Sequence, residues 1–203
     1  MAETLRLFVS ATTDLESERA IVGRVLADLP VQIRAEIRRT PASGGKYDDI
    51  YEAIANCDRV YFLLGQDITA PSGAEWQLAW QLERSLLPLR SRARLTPAAQ
   101  EFVQNSLINW QTFHSVAHLA NIITLDLIRL LDHPTNRYGL TVAELQQLKV
   151  LGRRLQQRAA EQADAYVREP GGAEGGGVLL DHLRREPADG VALEEGSVEE
   201  RVQ

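Results

Sequence analysis

Two textures of apolar and polar positions alternate along the first 130 residues: short runs that are apolar on both faces, and longer stretches with an apolar residue every three or four. Leu5-Arg6-Leu7-Phe8-Val9 is a short, mostly apolar run, the form of a strand buried in a parallel sheet. Thr13-Asp14-Leu15-Glu16 has the spacing of a capping box and predicts a helix running to about Asp28, with Leu15, Val22, Val25, Leu26 and Leu29 as its apolar stripe. Val31 to Arg38 alternates strictly, which predicts a strand with one wet face at a sheet edge. Pro41 to Gly45 is a loop and Tyr47 to Asn56 a short helix. Val60-Tyr61-Phe62-Leu63-Leu64 is apolar on both faces and therefore central. Gly65 to Ser72 is a loop, and Gly73 to Leu87 a helix.

Beyond Leu87 the pattern predicts a strand over Pro88 to Arg92 and a helix opened by Thr96-Pro97, with proline at its first position. A short strand over Leu107 to Trp110 and an amphipathic helix from Phe113 to Leu131 follow. His133-Pro134 ends that helix, Gly139 closes a turn, and the capping box Thr141-Val142-Ala143-Glu144 opens a last helix to about Val167. Strands alternating with helices imply a doubly wound parallel α/β sheet joined by right-handed crossovers. An edge-like second strand and a central third predict the order 2-1-3-4-5, a flavodoxin-like arrangement with its ligand site beyond the C-terminal ends of strands one and three. The chain then divides into an α/β domain over 1–132, a helical extension over 133–168 and a tail over 169–203.

Charge sharpens that division. The net charge of −6 belongs to residues 169–203, which hold nine acids, three arginines and half of the fourteen glycines, whereas the rest is balanced. Such a tail is too polar to offset its ordering entropy and is expected to be disordered. A neutral body argues against a dedicated nucleic-acid partner. No run of eighteen apolar residues predicts a membrane span, and no secretory leader opens the chain, so the expected location is the cytoplasm. The single cysteine, Cys57, excludes an internal disulfide and is expected to be a buried, inert thiol.

Candidate chemistry gathers in the loops at the expected mouth. Ser10-Ala11-Thr12-Thr13-Asp14 leaves strand one, and hydroxyls beside a helix start can orient a ribose or phosphate, although capping also accounts for Thr13 and Asp14. Arg38 to Lys46 carries glycines and positive charge but lacks phosphate-loop spacing, and is taken as an exposed turn. Gly65 to Trp76 is the third loop. There Ser72 and Glu75 have capping-box spacing, so Glu75 is either a structural carboxylate or, sharing a helical stripe with Leu78, Ala79, Leu82 and Leu86, a group pointing into the mouth. Trp76, Trp80 and Leu87 form a second stripe, either buried under the C-terminal helices or contacting a partner subunit.

The segment Leu7-Phe8-Val9-Ser10-Ala11-Thr12-Thr13-Asp14-Leu15-Glu16-Ser17-Glu18-Arg19 resembles the opening motif, F-V-S-S-T-x-x-D-L-x-x-E-R, of a TIR-like family of unknown function. Cys57-Asp58 before the apolar strand ending in Gly65 is similar to a second part of that pattern, and Ser72-Gly73-Ala74-Glu75 to the start of its following helix. The resemblance covers roughly residues 5 to 132, with Ala11 in place of the second serine and Gly65-Gln66-Asp67-Ile68-Thr69 in place of G-x-R-Y-G. TIR domains and nucleoside deoxyribosyltransferases share this architecture and use a glutamate at the corresponding helix on an N-glycosidic bond. The resemblance therefore implies Glu75 as the catalytic residue, with Ser10, Thr12, Asp14, Gly65, Ser72 and Trp76 around a nucleotide-like substrate such as NAD, and no separate cofactor. It equally implies a non-catalytic module in prokaryotic signalling or defence that works through copies of itself or a partner protein.

Other constellations are weaker. His114 and His118 have i, i+4 spacing but lack a third ligand, so no metal is expected. Arg90, Arg92 and Arg94 form a basic patch of the kind that is usually a solvated face. The last helix spaces Leu145, Leu148, Leu151 and Leu155 by threes and fours, which suits docking on its own domain or a short coiled coil.

Overall fold

The computed structural model describes residues 2–41 and 44–168, with the side chains of the last helix as far as Glu161. Five parallel strands, β1 (Leu5–Ala11), β2 (Ala35–Arg38), β3 (Arg59–Leu64), β4 (Leu86–Ser91) and β5 (Gln111–Phe113), lie in the order β2-β1-β3-β4-β5. The helices are α1 (Glu16–Arg19), α2 (Ile21–Ala27), α3 (Tyr47–Ala55), α4 (Ala70–Gln81), α5 (Pro97–Asn105), α6 (Val116–Leu131) and α7 (Val142–Arg168). The fold is a flavodoxin-like α/β sheet covered on both faces, with a C-terminal helix. The acidic segment 169–203 lies outside the described residues.

Strand parity assigns the two faces. Leu5, Leu7, Val9, Tyr61, Leu63, Leu87 and Leu89 turn toward α2 and α6, in a core that also takes in Tyr138, Leu140 and Leu148. Phe8, Val60, Phe62 and Leu64 turn the other way, onto Ala53 and Ile54 of α3 and Trp76, Leu78 and Ala79 of α4. The first turns of α7 thus dock on the domain itself. Leu145, Leu148 and Leu151 pack there, and Gly152 lies close enough to α6 that a β-carbon would stand 3.6 Å from Ile128.

Several boundaries differ from the pattern. Strand pairing on β2 begins only at Ala35, because its partner β1 begins at Leu5. The helix expected over Leu15 to Asp28 is broken into a 3-10 turn at Thr13–Leu15, α1 and α2. Glu16 does not cap it; the carboxylate instead pairs with Arg19 at 3.0 Å and Arg39 at 2.8 Å. Helix α4 starts three residues earlier than expected and ends at Gln81, which places Leu86 and Leu87 on β4 rather than on the helix. Strand β5 is displaced to Gln111–Phe113, and α6 starts at Val116 with Ser115 capping it through the His118 amide at 3.1 Å. Both remaining caps form as expected: the Thr96 hydroxyl accepts from the Ala99 amide, and Thr141 and Glu144 make a reciprocal box.

Candidate functional site

Thr69, not Ser72, precedes the first residue of α4, and Pro71 occupies its first turn. Proline is tolerated there because the first helical amides have no intrahelical partner. Ser72 therefore falls in the first turn and is turned back on the cap, its Oγ 2.7 Å from Thr69 Oγ1 and donating to the Thr69 carbonyl at 3.1 Å. Glu75, one turn further in, is left out of the capping. It stands beside Leu78 and Ala79 on the sheet-facing side and is only 6% exposed. Among the described residues its hydrogen-bond partner is the Thr40 hydroxyl, which donates to Oε1. Thr40 arrives from the loop after β2, 35 positions earlier in the chain.

Thr40 also forms part of the wall of a cleft of about 760 Å³ at the C-terminal end of β1 and β2. Phe8, Ile37, Ile50 and Ala53 supply apolar lining, while Arg38, Arg39, Lys46 and Asp49 supply charge. Glu36 holds Arg38 at 2.7 Å, and Glu16 holds Arg39 at 2.8 Å. The loop read as an exposed turn is thus one side of a cavity. Its chemistry was visible in its arginines and glycines, but its closure against β1 and α3 was not.

Ser10 is 1% exposed, and its Oγ has no hydrogen-bond partner among the described residues. Its parity matches that of Phe8, which places it on the α3–α4 face of the sheet. Ser10 and Thr40 each stand two residues past the last registered pair of β1 and β2, Phe8 with Arg38. Ser10 thus lies on the same face of the sheet as the helices α3 and α4, the face on which Thr40 meets Glu75.

The other expected binding residues serve one another. Thr12 is fully buried; its hydroxyl donates to Asp14 Oδ1 at 2.6 Å and accepts from the Gly65 amide at 2.9 Å. Asp14 Oδ2 accepts from the Gln66 amide at 2.7 Å. These bonds stitch the loop leaving β1 to the loop leaving β3. Gly65 is required by the close approach alone: a β-carbon there would lie 1.9 Å from the Asp14 carboxylate. Trp76 stacks on Trp110 with ring centroids 5.2 Å apart and meets Phe62 and Phe102 edge-on, so it lies in an aromatic core, while Trp80 is 54% exposed.

Away from this end of the sheet, burial pushes the Cys57 thiol up to about 11, and its Sγ donates to the Ile54 carbonyl. A buried network joins Arg59, Tyr61 and Asp126, the tyrosine hydroxyl donating to Asp126 at 2.9 Å. His114 and His118 are in ring contact with centroids 4.1 Å apart, and no cluster of three or more metal-ligating side chains exists among the described residues. No helix among them is long and apolar enough to cross a membrane. Compared with known proteins, the chain matches no family model, no curated protein and no solved structure.

Proposed function

We propose that this is a TIR-like enzyme that cleaves the N-glycosidic bond of NAD or a related nucleoside derivative, with Glu75 as the reacting carboxylate. The observation that carries the reading is the position of Glu75: buried, unused in capping, and hydrogen-bonded by Thr40, which lines a cleft of nucleotide size. In this mechanism Arg38, Arg39 and Lys46 attract the phosphates, and the apolar lining takes the rings. As the C1′–N bond breaks, its electron pair goes to the pyridinium nitrogen, which departs as a neutral base without needing a proton. Glu75 stabilises the ribosyl oxocarbenium ion that remains, as carboxylates do in glycoside hydrolysis. Water then adds to C1′ and gives up its proton to solvent, and in this reading the Ser10 hydroxyl bonds the ribose.

The test is NAD and nucleoside consumption by concentrated full-length protein, wild type beside Glu75→Gln, with folding checked by circular dichroism. Turnover by wild type that falls at least about a hundredfold in the folded variant supports the reading, since one transition-state charge interaction is worth about that much. Equal turnover in the two proteins, or none in either, refutes it.

One observation favours a second reading, a non-catalytic assembly module. The Thr12–Asp14–Gly65 bonds close the usual switch-point mouth, and Trp80 presents an aromatic surface outside the core. That reading requires an oligomer that dissociates on Trp80→Ala, together with no consumption of nucleotide.

A further inference from the structure

We propose that the open edge of β2 is a homodimer interface: the segment from Ile33 to Ile37 pairs antiparallel with the same segment of a second copy of this chain, joining two sheets into one. Strand β2 ends the sheet on its side, and the Arg34 carbonyl, just before it, accepts from the Leu5 amide of β1 at 2.9 Å. Backbone groups alternate in direction along a strand, so those of Ile33, Ala35 and Ile37 point to the open edge. Among the described residues no backbone group bonds them there. An uncovered edge of this kind is a template for another strand.

The surroundings of the edge fit a copy of the same strand. On the α2 side stand Ile33, Ala35 and Ile37, and Ile37 is 38% exposed. A groove of about 430 Å³ lies there, lined chiefly by Leu26 and Ala27 of α2 and by Val31 and Ile33. On the other side stand Arg34, Glu36 and Arg38. Glu36 pairs with Arg38 at 2.7 Å and Arg6 at 3.8 Å, whereas Arg34 is exposed and has no ion-pair partner among the described residues.

Charge and proline select the register. Outward-pointing groups must meet outward-pointing groups, so the two-fold axis passes through a residue. Centred on Ala35, the pairing sets Arg34 opposite Glu36 of the second copy, and Ile33 opposite Ile37, each twice over. Centring on Arg34 or on Glu36 instead sets like charges against each other. Centring on Ile37 sets Ile33 against Pro41, which has no N–H to give, and centring on Ile33 sets Ile37 against the buried Leu29. The register on Ala35 also places Gln32 of the second copy opposite Arg38, at the rim of the cleft that Arg38 lines.

Sedimentation equilibrium of the full-length protein tests this, with folding checked by circular dichroism. Wild type is expected to dimerise. Ala35→Pro removes an N–H that points away from β1, and is expected to be a folded monomer. Arg34→Glu and Glu36→Arg each create two like-charge pairs across the axis, and each is expected to weaken dimerisation about tenfold. Mixed in equal amounts, these two variants set opposite charges at both places and recover the wild-type affinity. A wild type that stays monomeric at the highest attainable concentration overturns the proposal. So does a dimer that folded Ala35→Pro leaves intact, or one that dissociates on Trp80→Ala instead, or a mixture that does not recover what its components lose. Should Ala35→Pro fail to fold, the charge variants and their mixture decide. The pairing neither uses Glu75 nor needs turnover, so it stands or falls apart from the glycosidase reading.

Discussion

Replacing Gly65 with alanine separates a structural role of the β1 and β3 exit loops from a binding one. The backbone there is not in the left-handed region, so alanine carries no conformational penalty of its own; the cost is the collision of its methyl with the Asp14 carboxylate, 1.9 Å away. Asp14 must swing out and lose its bonds from Thr12 at 2.6 Å and the Gln66 amide at 2.7 Å. Losing the hydrogen bonds of a carboxylate costs about 1.5–3 kcal/mol, and residual overpacking adds about 1 kcal/mol. The expected loss is therefore about 2.5–4 kcal/mol, read by urea unfolding, or a fall in Tm of about 5–16 °C for a body of this size. Asp14→Ala alone costs about 1.5–3 kcal/mol, because it forfeits the bonds without the collision. When Gly65→Ala and Asp14→Ala are combined, the added methyl meets no carboxylate, so stability returns to within about 0.5 kcal/mol of Asp14→Ala. Additive losses in the double variant would refute the collision as the reason for glycine.

Two further substitutions test the assignment of the tryptophans. Trp76→Ala is expected to cost about 3–5 kcal/mol by emptying a core aromatic site, whereas Trp80→Ala stays within about 0.5 kcal/mol in the monomer; comparable losses by urea unfolding contradict the placement of Trp76 between Phe62, Phe102 and Trp110. Burial, then the neighbouring His114, lowers the pKa of His118 below its usual value of 6.5. The unfolded chain consequently binds the extra proton more readily, and stability declines as the pH falls through 6.5 toward the lowered folded value. Unfolding free energies measured between about pH 7.5 and 5, the window around that titration, should show a shallower decline in His118→Asn than in wild type. Identical slopes would exclude this contribution.

The fold was legible where the apolar pattern is unambiguous. Five residues from Val60 to Leu64, apolar on both faces, can only be a doubly covered strand, and they are fully buried in the middle of the sheet. Boundaries were less legible because they are set by partners distant in sequence. The alternation of Val31 to Arg38 continues past what β1 can pair, and only Ala35–Arg38 joins the ladder. At α4 the capping-box spacing of Ser72 and Glu75 predicts a helix start at Gly73, whereas the helix starts at Ala70 with Thr69 before it. Pro71 is compatible with that earlier start, since its ring suits a helical first turn. That three-residue shift changes the status of Glu75 from a capping group to a buried carboxylate. Its partner Thr40, 35 positions away on another crossover, left no mark in the local pattern.

The displacement of the cleft follows from the same contacts. An open α/β sheet of this order normally offers its crevice where the crossovers diverge, outside β1 and β3. Here that opening is stitched by Thr12, Asp14 and the amides of Gly65 and Gln66, and a hydroxyl–carboxylate–amide set of this kind is costly to open. The nearest alternative lies one strand over, between β1, β2 and α3, where the loop from Arg39 to Lys46 leaves space that no described side chain fills. Helix α4 nevertheless belongs to the crossover after β3. Its carboxylate reaches Thr40 on the cleft wall because α3 and α4 pack side by side on one face, through Ala53 and Ile54 with Leu78 and Ala79. The candidate chemistry is therefore divided between two crossovers, with the charged rim and Thr40 on one and Glu75 on the other. Ala53 and Ala79 pack in one cluster with Phe8 and Val60 beneath the two helices, and across that packing two residues 35 positions apart, Thr40 and Glu75, come into hydrogen-bond contact.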